Sequence, residues 1–355
     1  MRSSTWALVT CAVAAALLGG GRPSRAAEAL EKELVIVTTG GAFERALRRH
    51  FYEPFTRATG VTIRSVAADL DEQWAKVKAM SRVGRIEWDI VSMGPADVLD
   101  HRAFLAKLDC WRLPNAGKYG VEGACQDYSL LRTIGGGVLA YDAEAFPHGR
   151  APQTWADFWD VERFPGPRAL MDAGTPWWVL MAALMADGVP PDRLFPLDLD
   201  RAFRKLDEIK PHVKVWWRTG DQSQQIMRSR EVVMAMMWSG RALSLKAAGV
   251  PIEVSWKGAP KDVAPWGLLA GAPHPKAALA FLDFFMGRPE AHLAFSREVN
   301  YDTSNQKALD LLPEPDRLTR PTHPDNWRNI ATIDYRWVSE NRARLLERWS
   351  AWLAK

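Results

Sequence analysis

LVIVTTGGAFERALRRHFYEPFTRATGVTIRSVAA, residues 34–68, decides how this chain is read. Residues 34–39 form a β-rich run that stops at Gly40–Gly41. Residues 43–60 then carry apolar side chains at helical spacing and end in Gly60, before residues 61–68 return to a β-rich run. Strand, helix and strand at this spacing predict a βαβ unit and a parallel sheet. The pattern continues outward: EQWAKVKAMSRV (72–83) predicts a helix, and IEWDIVSM (86–93) a third strand closed by the turn Gly94–Pro95. Such sheets bind ligands beyond the carboxyl ends of their strands. That places Gly40, Gly41 and the stretch from Ser92 to Asp97 at the mouth of a site.

A second set of elements begins at Gly135. GGGVLAYD (135–142) predicts a strand, TWADFWD (154–160) a short helix, and RALMD (168–172) a strand followed by Ala-Gly-Thr-Pro-Trp-Trp. Helices follow over WVLMAALMADG and LDLDRAFRKLDEIKP, then strand-like VVMAMMW, helical RALSLKAAG, and the strands IEVSW and PWGLLAGAP. KAALAFLDFFMG and the final WVSENRARLLERWSAWLAK predict two more helices. Two α/β units predict two lobes with a cleft between them. Crossings are expected near Leu139–Tyr141, Asp262–Pro265 and Tyr301–Asn305. With 355 residues the chain has room for about two domains, and 47% hydrophobic with 25% charged residues is the composition of an ordinary folded globule.

The first residues read differently. Arg2, the apolar run TWALVTCAVAAALL, and Ser24-x-Ala26 match a secretory leader, 1–26, cut after Ala26. Removing it takes Arg2, Arg22 and Arg25 away, so the 46 basic residues become 43 against 42 acidic ones, a charge of +1. The basic balance therefore offers nothing to nucleic acid. Export leaves Cys110 and Cys125 as the only thiols in an oxidising compartment, where one disulfide is the simplest outcome. Closing a loop of that length stabilises by about 3 kcal/mol on the chain-entropy model.

Chemistry is not advertised. No G-x-S-x-G elbow, Walker loop or G-x-G-x-x-G occurs, and the glycines 135–137 precede an apolar strand instead of a helix. The seven histidines (50, 101, 148, 212, 274, 292 and 323) have no ligand-spaced partner, so no metal and no cofactor is expected. Polar and aromatic residues instead gather where strands meet loops. These are Gly40, Gly41 and Phe43; Ser92; Asp172, Thr175 and Trp177; Trp217, Asp221 and Gln222; Trp238 and Arg241; Trp266; Tyr301 and Asp302. Flat aromatics with a few convergent polar groups suit a small organic solute, and indoles hold cations over their faces. The plainer reading of any single tryptophan is core packing, above all for Trp155, Trp159, Trp349 and Trp352 on helical stripes. The segment VWWRTGDQSQQIM (215–227) is expected to hold something: one tryptophan packs in its lobe, while the other, with Thr219, Asp221 and Gln222, faces the cleft.

Over LVIVTTGGAFERAL, YEPFTRATGV, EWDIVSMGPADV, GGGVLAYD, APQTWADFWD, FPGPRAL, LMADGV, EVVMAMMWSGRALSLKAAGVPIEVSW and ENRARLLERWSAWL, the chain resembles the periplasmic solute-binding proteins of ABC importers, in the group related to spermidine- and putrescine-binding proteins. The resemblance runs from about Leu34 to Trp352. It implies a two-lobed type II periplasmic binding fold in the α/β class, with lobes of 33–140 plus 264–303 and 141–263 plus 304–355. It implies a periplasmic monomer that closes on a solute and passes it to an ABC permease in the inner membrane. Asp172, Trp177, Trp238 and Trp266 fall where relatives place cleft residues. Polyamine binders carry an acid two residues after the aromatic at Trp266, and here Leu268 stands in its place. A second acid expected shortly after Asp172 is missing as well. An ammonium buried without a carboxylate is costly. The solute is thus expected to be polyamine-like or amino-acid-like, with Arg241 offering a carboxylate fork or Asp221 replacing a missing acid. The alternatives are a thiaminase-like enzyme with a cysteine nucleophile, or a sensing module that shows its closed form to a receptor.

Overall fold

Five buried residues in a row, Leu34 to Thr38, make β1 (Glu33–Thr38) a strand covered on both faces. The computed structural model describes residues 29–146 and 149–355; the expected leader lies outside them, as does His148. β1 pairs in parallel with β2 (Thr62–Ala67) and β3 (Ile90–Ser92). The helix after β1 begins at Gly41, passes through a π-turn at Arg48–Tyr52 and ends at Thr59. Its Phe51 and Phe55 rings pack on Phe281, Phe284 and Phe285 of the helix Pro275–Met286. Cys110 and Cys125 are bonded, as expected.

The remaining strands are β4 (Cys125–Gln126), β5 (Ser129–Asp142), β6 (Arg168–Met171), β7 (Val213–Trp217), β8 (Met234–Trp238), β9 (Ile252–Ser255), β10 (Lys261–Leu268) and β11 (Asp302–Thr303). Their order is β2-β1-β3-β10-β5-β8-β6-β7, with β4, β9 and β11 also paired to β5. The sheet is mixed, where a parallel one was expected. The parallel blocks are β2-β1-β3 and β8-β6-β7, while β10 and β5 run antiparallel to their neighbours. The reason lies in β5, which is 14 residues long and serves both blocks. Up to Gly136 it pairs with β10, and from Gly137 with β8.

The second block packs on the helix Pro176–Ala186, buried from Pro176 to Leu184, and on the C-terminal helix Tyr335–Leu353. Trp349 and Trp352 lie edge-on to Trp216 at 5.6 and 5.5 Å, and Trp155 and Trp159 are also buried. The helical tryptophan stripes are therefore core, as the spacing predicts. Among the described residues, no helix is long and apolar enough to cross a membrane.

Candidate solute site

The site grows from an irregularity in β5. Ala264 of β10 pairs with Thr133, but Pro265 pairs with Leu131, so Arg132 is the extra residue of a bulge. Pro265 has no N–H to give the ladder, and a bulge re-aims the side chain it carries. The Arg132 guanidinium is held between two rings, 4.8 Å from the centroid of Phe43 and 5.3 Å from that of Trp266. Its Nη1 donates to Ser92 Oγ at 2.9 Å, and that hydroxyl donates to the Val37 carbonyl at 3.0 Å. Arg132 is 7% exposed and its Nε has no partner. No carboxylate of the described residues lies within ion-pair distance of it. Burial lowers its pKa to about 10. A buried cation without a counter-ion is expensive unless something else completes it.

Several expected residues touch this arginine or one another. Gly40 and Gly41 turn the chain after β1 with φ of +71° and +68°, conformations that suit glycine. Across from them, Asp221 Oδ2 lies 3.6 Å from where a Gly41 side chain would begin. Phe43 meets Tyr301 edge-on at 6.0 Å, and the Tyr301 ring rests against Gly135 and Gly240, where a Cβ would collide with it. Burial pushes the Tyr301 pKa above its ordinary range. Trp238 is half-buried beside Gly220, and Ser92 anchors Arg132. Trp266 is fully buried on Phe281 and Phe285 and forms the floor beneath the guanidinium.

Other expected residues are committed elsewhere. Asp172 accepts from Trp349 Nε1 at 2.9 Å and lies 3.7 Å from Arg218, so it pins the C-terminal helix. Trp217 is fully buried and its Nε1 donates to the Met236 carbonyl, so within VWWRTGDQSQQIM both tryptophans pack. That segment is the strand β7, the cap Thr219 and the helix Gly220–Arg228. Gln222 is exposed and accepts from the Arg218 backbone at its own helix start. Asp302 is fully buried and accepts from the Thr322 N–H and hydroxyl, an interior role. Arg241 is spent on Asp221 at 2.9 Å, so it is not a free fork. Thr175 reaches Met171 Sδ at 3.4 Å, and Trp177 is buried with Arg342 5.7 Å from its ring.

Arg132 itself escaped the sequence reading, which passed over SLLRTI (129–134). A lone arginine inside an apolar strand was the available signal. Among the described residues, no group of histidine, cysteine or acidic side chains could hold a metal ion.

A model of the family described as bacterial extracellular solute-binding protein matches residues 50–322. The gamma-aminobutyric acid-binding protein of Pseudomonas aeruginosa is 32% identical over 337 residues, covering 93% of both chains. The spermidine/putrescine-binding periplasmic protein of Escherichia coli is 24% identical over 285 residues, 77% of this chain and 79% of that one. The solved ABC transporter substrate-binding protein of Bradyrhizobium japonicum superposes with a TM-score of 0.82 at 33% identity, over 91% of this chain and 99% of that one.

Proposed function

The chain belongs to the bacterial extracellular solute-binding proteins, and from that premise we propose that it captures a small amino-acid-like carboxylate for an ABC importer. The observation that carries the choice is Arg132, a buried guanidinium with no carboxylate of the described residues within ion-pair distance. A carboxylate would complete it through charge-assisted hydrogen bonds. A diamine would bring a second cation instead, and two like charges about 5 Å apart repel by roughly 3 kcal/mol at an effective dielectric near 20. The similarity to a gamma-aminobutyric acid-binding protein, closer and longer than that to a polyamine binder, supports the same choice.

Ser92, Phe43, Tyr301, Trp238 and the Gly40–Gly41 turn would line the solute, with Trp266 beneath. The lobes that close on it are 33–140 with 264–303, and 141–263 with 304–355. Export with cleavage after Ala26 would deliver a periplasmic monomer, needing no cofactor, that hands its solute to a permease in the inner membrane. The enzyme alternative needs a free thiol, and the disulfide takes both Cys110 and Cys125.

A fluorescence titration tests this. The protein is unfolded and refolded to strip carried ligand, then titrated with small amino acids, monocarboxylates, putrescine and spermidine. Saturable binding of amino acids, abolished in Arg132→Gln, is expected. Binding of the polyamines alone would overturn the choice.

A further inference from the structure

Resting on the amino-acid reading above, we infer that Asp262 grips the solute's ammonium group, so that the ligand is a small ω-amino acid held by Arg132 at one end and Asp262 at the other. Asp262 lies on β10 directly opposite Gly135 of β5. Directly opposed residues of an antiparallel pair project on the same face, so Asp262 leaves the sheet on the side where Gly135 has no side chain. The Tyr301 ring lies against that glycine. Tyr301 meets Phe43, and Phe43 carries the Arg132 guanidinium. Asp262, Tyr301, Phe43 and Arg132 therefore follow one another across the crossing strands.

Neither charge is spent. The Asp262 carboxylate makes no ion pair or hydrogen bond among the described residues. Burial pushes its pKa up to about 6, while Arg132 pulls it the other way. Two opposite charges on the crossing strands, neither within ion-pair distance of a partner, are the two ends that a zwitterion would join. Its carboxylate takes the guanidinium and its ammonium takes the carboxylate. A monocarboxylate would satisfy Arg132 alone and leave Asp262 half-buried without a partner.

The test compares 4-aminobutyrate with butyrate, which lacks only the ammonium, by calorimetric titration of the refolded protein and of Asp262→Asn. The wild type is expected to prefer 4-aminobutyrate by at least about tenfold, the weight of one hydrogen bond between charged groups. In Asp262→Asn the ratio of the two affinities should fall close to one, and butyrate binding reports whether the variant is folded. Equal affinities in the wild type overturn the inference, as does a ratio that survives the substitution. Wild type that binds neither 4-aminobutyrate nor butyrate overturns the inference, and the amino-acid reading falls with it only if no other small amino acid binds either. Binding lost in Arg132→Gln but unchanged in Asp262→Asn leaves the function standing and removes only the role of Asp262.

Discussion

Replacing Arg132 with methionine should abolish binding while leaving the unliganded protein as stable as before, or slightly more so. Burial that lowers the guanidinium's pKa to about 10 corresponds to roughly 3 kcal/mol against the charged side chain, at about 1.36 kcal/mol per pH unit. Offsetting this are the ring contacts with Phe43 and Trp266, worth about 0.5–1 kcal/mol each. The hydrogen bond to Ser92 contributes about 1 kcal/mol more. The balance lies between zero and about 1 kcal/mol in favour of the apolar residue, which fills a similar volume and keeps the contact between the rings. Ser92 retains its bond to the Val37 carbonyl, so no buried group is orphaned. Loss of the cation should cost the carboxylate about 2–5 kcal/mol of binding, thirtyfold or far more. Scanning calorimetry of ligand-stripped protein and titration with 4-aminobutyrate measure both halves. A midpoint lowered by several degrees, with affinity retained, would refute the reasoning: Arg132 would then be a structural residue.

Three further outcomes follow from the same geometry. Asp262 has a folded pKa of about 6, above its ordinary 3.8, so its contribution to unliganded stability is lost as pH rises from 3.8 through 6. A bound ammonium lowers that pKa, so affinity for 4-aminobutyrate should rise through the same window and binding near pH 6 should release protons, seen as a buffer-dependent calorimetric enthalpy. Arg342 of the C-terminal helix bonds Asp97 and Asp100 at 2.9 Å each, and Asp97 is buried; Arg342→Gln should cost about 3 kcal/mol in chemical denaturation, and a change under 0.5 kcal/mol would make the pair ornamental. Gly240→Ala drives a methyl into the Tyr301 ring and should cost about 1–3 kcal/mol by overpacking, with weaker ligand binding, whereas a neutral variant would show that Tyr301 moves freely.

Much of the fold was legible because its signals are local. The run 34–39, the helical spacing of 43–60 and the stripes of Trp155, Trp159, Trp349 and Trp352 each report burial on a known face, and all appear as elements or core. The mixed sheet was not legible. Strand direction depends on β10 and β5 linking the two blocks in series, β10 to β3 and β5 to β8, and no periodicity encodes that. The side-chain partners of the candidate site residues were less legible than their types. Phe43, Ser92 and Trp266 touch Arg132 and Tyr301 touches Phe43, but Asp172 and Asp302 answer partners 177 and 20 residues away in Trp349 and Thr322. Arg132 was missed because a bulge aims it, and the bulge arises from Pro265, more than a hundred residues later. A charged residue in an apolar strand carries information that a search at strand ends passes over.

The central claim is that the solute's carboxylate completes Arg132. A crystal structure of the protein with its tightest-binding small amino acid tests it directly. A ligand carboxylate oxygen is expected about 2.7–2.9 Å from a guanidinium nitrogen of Arg132, with Phe43 and Trp266 still flanking that group. A ligand whose carboxylate lies on Arg241 or on the Gly40–Gly41 turn, with Arg132 bonded only to protein, would contradict the claim.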